Sequence, residues 1–175
     1  MTSPSWRATG AFLLAATMAT TAAGQVSTNR VAANTDWSVF VEENPKECWG
    51  VSAPKETVNT KDGQAVSVRR GDILLFVTYR PGSAEGEVSF TGGYPFAGGS
   101  TVGLEISGTT FELFTDGEWA WSGSKDDDGK IVAALKAGAS AVLTAHSSRG
   151  TETKDTFSLL GVSAALDEAA KRCAG

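Results

Sequence analysis

The side chains best suited to covalent, acid–base or metal chemistry here are two cysteines, Cys48 and Cys173, and one histidine, His146. A nucleophile of the Ser/His/Asp or Cys/His kind needs an imidazole base steadied by a third group. His146 stands in Thr144-Ala145-His146-Ser147, with nothing adjacent to complete such a set, so a solvent-facing or hydrogen-bonded role on a strand is expected. One histidine also leaves too few ligands for zinc, and neither cysteine belongs to a C-x-x-C pair. Paired carboxylates could hydrolyse a glycosidic bond, and Glu85 with Glu87 or Asp116 with Glu118 are the candidates. Both pairs flank turns, where solvated surface charge is the expectation. A carboxylate-based hydrolase acting on a cell-wall polymer is the alternative reading.

Nucleotide and calcium loops fail on spacing. The stretch from Gly123 to Lys130 has the wrong gap between its glycines for a P-loop, and Ile131 stands where Ser or Thr would bind magnesium. Asp126, Asp127 and Asp128 are consecutive, whereas a calcium loop alternates its ligands. No catalytic residue, metal or cofactor is therefore assigned. Arg70-Gly71-Asp72 spells an integrin-ligand tripeptide but reads as a turn, with Gly71 supplying backbone freedom. The stretch best suited to recognition is Tyr94-Pro95-Phe96, framed by Gly92, Gly93, Gly98 and Gly99. Aromatics on such a loop can form an interaction surface, or fold back to plug one end of a β core. Plugging is the favoured use, because a small domain needs its large apolar groups for burial.

The N-terminal segment reads as an export signal. Arg7 precedes an apolar run from Ala8 to Ala19, and small residues follow at Thr21, Ala22, Ala23 and Gly24. The run is shorter than the ~20 apolar residues of a spanning helix. Residues 1–24 are thus expected to be a cleaved signal peptide and 25–35 a flexible polar leader. Residues 36–175 make one β-rich domain with no transmembrane segment. The net charge of −5 at pH 7 argues against nucleic acid as a partner. In an exported chain an even pair of cysteines is expected to be a disulfide, Cys48 to Cys173, with a reactive thiol as the competing reading. Closing so long a loop is worth ~4 to 5 kcal/mol in the chain-entropy picture.

Periodicity supplies the scaffold. Trp37, Val39 and Val41, and later Val102, Leu104 and Ile106, alternate with polar residues as half-buried strands do. The run Ile73 to Tyr79 is apolar on both faces and reads as a central strand; a further strand is expected around Val66 to Arg69. Ser107-Gly108 and Asp116-Gly117 mark tight hairpins, and Trp119 with Trp121 share a strand face expected to be core. One helix should open at the acidic run and stop at Gly138. A second places Val162, Ala165, Leu166, Ala169, Ala170 and Cys173 on one face, with Asp167–Lys171 and Glu168–Arg172 pairs opposite. The architecture expected is mainly β, an antiparallel sandwich or compact barrel with two short helices, the second C-terminal.

Four further stretches carry a resemblance when taken in order with Tyr94-Pro95-Phe96. They are Glu118-Trp119-Ala120-Trp121, Ser147-Ser148-Arg149-Gly150-Thr151, Thr156-Phe157-Ser158-Leu159-Leu160-Gly161, and a helix ending in Cys173. This succession resembles the invasion associated locus B family. The resemblance implies an immunoglobulin-like β fold in a bacterial periplasmic or cell-envelope protein, of a family named for a member linked to host-cell invasion. It carries no catalytic motif. Export, a stapled β core and the absence of a reactive constellation make the leading expectation a non-enzymatic binding or interaction domain, serving envelope integrity or host contact, whose partner is a protein or another envelope component.

Overall fold

The computed structural model describes residues 29–83 and 85–174. The expected signal peptide and the first part of the leader lie outside the described residues. Strands β1 (Arg30–Asn34), β2 (Trp37–Glu43), β3 (Lys46–Ser52), β4 (Glu56–Lys61) and β5 (Gln64–Ala65) come first. β6 (Leu74–Tyr79), β7 (Glu87–Thr91), β8 (Thr101–Ile106), β9 (Thr109–Asp116) and β10 (Trp119–Ser122) follow. Helix α1 (Lys125–Ala137) then precedes β11 (Ser140–His146), β12 (Glu152–Ser158) and helix α2 (Val162–Cys173). The strands form a single antiparallel sheet ordered β1-β2-β3-β6-β7-β10-β9-β8-β11-β12-β4-β5. The expected antiparallel β class, with two short helices and the second C-terminal, is the one that forms.

The sheet curls so that its two halves face one another. Phe90 of β7 meets Phe157 of β12 edge to face at 6.3 Å, and the Trp37 indole N–H donates to the Ser158 carbonyl at 3.0 Å. Period-2 alternation fills the space between: Val39, Leu75, Val77, Leu104 and Leu143 are all buried there. Each such side chain contributes about 1.5–3 kcal/mol of transfer free energy. At the β8–β9 hairpin Ser107 and Gly108 both take positive φ, 51° and 82°, as a two-residue turn matched to strand twist requires.

Three expectations are corrected. Arg30–Asn34, assigned to the leader, is strand β1, because pairing along β2 needs backbone groups rather than an apolar period. Residues 66–69 form no strand; β5 ends at Ala65. Trp119 and Trp121 are not core. Ala120 takes the inward position opposite Phe90, whose ring already fills that space. The two indoles therefore stack on the outer face at 6.2 Å, with Phe76 of β6 at 5.6 Å from Trp119. Accordingly β6 buries only Leu75, Val77 and Tyr79, and its other face carries this aromatic cluster.

Helix α1 begins and ends where its chemistry directs. Ser124 caps α1 by accepting the Asp127 N–H, three acids occupy the first turn, and the Gly138 N–H returns to the Ala134 carbonyl. Helix α2 lays its apolar face on β2 and β3, so close that a Cβ on Gly50 would stand 2.7 Å from Leu166 Cδ2. Glu168 pairs with Arg172 as expected, at 2.8 Å. Asp167 instead reaches Lys136 of α1 at 2.6 Å. Cys173, the last residue of α2, joins Cys48 of β3 in a buried disulfide with a Cα–Cα distance of 5.7 Å, spanning 125 residues of sequence. Among the described residues no helix is long and apolar enough to cross a membrane.

Candidate functional site

A pocket of about 570 Å³ opens where three separated segments meet. Residues 67–70 form one wall, 93–95 another, and the β11–β12 turn with Thr151 and Thr153 a third. Backbone hydrogen bonds lace these walls together. The Phe96 N–H donates to the Gly117 carbonyl, the Ala97 N–H to His146, and the Ser148 N–H to Pro95, each at 2.9 Å. The Gly71 N–H donates to the Gly93 carbonyl at 2.8 Å, and a Cβ on Gly93, whose φ is 72°, would stand 2.6 Å from Gly71 O. Glycine at position 93 is thus required by both conformation and space.

This geometry divides the expected interaction loop. Phe96 is buried and plugs the core, its ring 6.1 Å from Phe90. Tyr94 is half-buried, meets Phe96 edge to face at 5.3 Å, and shares a hydrogen bond between its hydroxyl and that of Thr153. Pro95 is exposed at the rim. The plugging use weighed for the loop is thus met by Phe96, while Tyr94 and Pro95 line the pocket.

The floor is held by Arg70. Its Nη1 and Nη2 donate to the two carboxylate oxygens of Asp155 at 2.7 and 2.6 Å. Its Nε donates to the Gly92 carbonyl at 2.8 Å, and Nη1 also reaches Asn59 Oδ1 at 3.3 Å. The guanidinium lies 5.0 Å from the Tyr94 ring centroid. Asp155 is fully buried, and the Arg70 side chain is 6% exposed. Burial pushes the Asp155 carboxyl up, and the bidentate guanidinium offsets part of that rise. Burial likewise raises the Tyr94 phenol, against the pull of its Thr153 hydrogen bond and of Arg70. Arg70 is therefore a buried brace and not the first residue of a presented tripeptide.

The sequence profile described as Invasion associated locus B (IalB) protein matches residues 37–170. The chain belongs to the invasion associated locus B family. Among solved structures, the crystal structure of invasion associated protein B from Bartonella henselae matches with a TM-score of 0.51 at 18% identity. The match covers 79% of this chain and 94% of that one. No curated protein matches this sequence. The likeness to the Bartonella protein is one of fold.

The other residues singled out in this IalB-family chain do not converge on the pocket. His146 is exposed at the end of β11, 3.8 Å from an equally exposed Glu152. Glu118 lines the pocket without Asp116. Glu85 and Glu87 line a separate recess of about 190 Å³ with Asp128. Burial raises the Asp128 carboxyl there, the feature a glycosidase acid would need. Its Oδ1, however, accepts both the Val88 N–H at 2.7 Å and the Ser122 hydroxyl at 2.6 Å. Glu87 is held by Arg80 at 3.1 Å. Asp128 thus fastens α1 to β7. Among the described residues no cluster of three His, Cys, Asp or Glu side chains is placed to hold a metal ion.

Sequence reasoning missed Arg69 and Arg149 as lining residues and Asp155 as the buried partner of Arg70 beneath the floor. Asp155 left a trace: it takes the inward position between Thr153 and Phe157 on β12. A carboxylate placed there demands a cation.

Proposed function

We propose that this IalB-family protein is an exported, non-catalytic binding domain of the bacterial cell envelope. Its recognition surface is the pocket between residues 67–70, the Tyr94-Pro95 corner and the turn 147–151. Export rests on the basic, apolar and small-residue succession of residues 1–24. The observation that carries the binding reading is that the pocket's floor is fixed before any ligand arrives. Arg70, Asp155, Tyr94 and Thr153 hold one another by a fork, a ring contact and a hydroxyl bond. Preorganised walls lower the ordering cost that binding otherwise incurs. A non-catalytic role is supported by the commitment of Asp128 and Glu87 to structural partners.

The reading is tested by expressing the full chain with a C-terminal tag and capturing it from envelope fractions. Mass spectrometry should find a chain that begins near residue 24 and brings an envelope component with it. Ser148→Trp, which fills the mouth from an exposed position while leaving its backbone bond to Pro95 in place, should fold and lose that component. Equal capture by this variant would remove the pocket from the account, and an uncleaved cytoplasmic chain would remove export.

A further inference from the structure

We propose that the pocket takes a saccharide bearing a carboxylate or phosphate group. This rests on the reading of the pocket as the recognition surface and adds the chemistry of its occupant.

Charge supports an anion. Arg69 and Arg149 stand on different walls of the pocket, 80 positions apart in sequence (149 − 69), and both are exposed. Neither guanidinium has a hydrogen-bond or ion-pair partner among the described residues. The contrast with Arg80, held by Glu47 and Glu87, and Arg172, held by Glu168, is direct. Arg70 does not add to the field, because Asp155 neutralises it. Lys61 does: its Nζ donates to the Arg149 carbonyl at 3.1 Å, placing a further cation beside the turn. Glu118 is the one acid of the lining. On a chain of net charge −5, cations gathered at a cavity mouth without acidic partners form a local field that an anion would complete.

The rest of the lining supports a sugar as the body that carries the charge. Ser67 and Ser148 present hydroxyls with no partner among the described residues, and Pro95 offers an exposed C–H face. Hydroxyls that both donate and accept suit a polyol. Guanidinium forks suit carboxylate and phosphate alike. A cavity of about 570 Å³ has room for one or two hexose rings. Because the two free arginines are solvated, affinity for a single sugar should be weak, on the order of millimolar.

The test is a titration of the oxidised domain, followed by backbone amide NMR, with four probes: glucuronate, glucose 6-phosphate, glucose and inorganic phosphate. Both anionic sugars should give saturable shifts centred on residues 67–70 and 147–151, and glucose should give none there. Arg69→Glu and Arg149→Glu, both at exposed positions, should retain the folded spectrum and weaken the anionic sugars about tenfold or more. Glucose binding as tightly as glucuronate would overturn the anionic part. Inorganic phosphate matching glucose 6-phosphate would overturn the saccharide part. Absence of saturable shifts from every anion would overturn the whole inference. The pocket reading falls separately, if Ser148→Trp captures its envelope component as well as wild type does.

Discussion

Arg70 and Asp155 are 85 residues apart in sequence, yet each carboxylate oxygen of one meets a guanidinium nitrogen of the other within 2.7 Å. The pair ties the segment before β6 to β12 at the floor of the pocket. It is also the one arginine–carboxylate pair described in which both side chains are shielded from water. Breaking such a pair leaves a buried charge uncompensated, which costs about 3–5 kcal/mol. Arg70→Ala and Asp155→Ala should each lower the unfolding free energy, read from urea titrations, by that order. The double variant Arg70→Met with Asp155→Leu should recover at least half of the loss. A double variant as unstable as the sum of the singles would show that the two side chains act independently.

Asp128 sets a pH dependence with a definite sign. Burial raises its folded carboxyl above the ordinary value of 3.8, although the Ser122 and Val88 bonds pull the other way. Its contribution to stability is therefore complete below the unfolded pKa and declines as pH rises through the raised folded value. Asp128→Asn keeps an Oδ1 acceptor for Val88 and Ser122 but cannot ionise. Relative to wild type, this variant should gain stability between pH 4 and pH 7, read as a growing difference in urea midpoint. A difference independent of pH would contradict the assignment. Asp36, whose carboxyl is lowered by hydrogen bonds led by Lys55, is common to both proteins and cancels in the comparison, whereas the charges of Glu87 and Asp127 are part of what raises Asp128.

The Cys48–Cys173 bridge closes a 125-residue separation, and loops of that size restrict the denatured chain by about 5 kcal/mol in the entropic picture. Reduction, or Cys48→Ala with Cys173→Ala, should lower the denaturant midpoint and with it the unfolding free energy by a large fraction of that value, while α2 stays docked through Ala165, Leu166 and Ala169. Equal midpoints for oxidised and reduced protein, with free thiols in both samples, would refute the bridge.

Local pattern made much of the scaffold legible. Strands β2 and β8 follow from alternation, α1 from the acidic run and Gly138, and α2 from its 3- and 4-residue apolar spacing. Tryptophan alternation fixed which residues share a face without fixing which face turns inward. That choice depends on Phe90 of a neighbouring strand filling the core opposite Ala120. Strand β1 was hidden because its order comes from pairing with β2 rather than from its own residues. The pocket was hidden for a related reason. Tyr94 and Pro95 stood out locally, but Arg69, Ser148, Arg149 and the Arg70–Asp155 fork come together only through the curl of the sheet.

The most direct test of the account is photocrosslinking in intact cells, with a crosslinking residue at position 148 in the pocket mouth or at exposed Thr110 on the outer face of β9. The account predicts an envelope-derived adduct from position 148, lost when Arg69 and Arg149 are both reversed to glutamate, and none from position 110. An adduct from position 110 with none from 148 would contradict it.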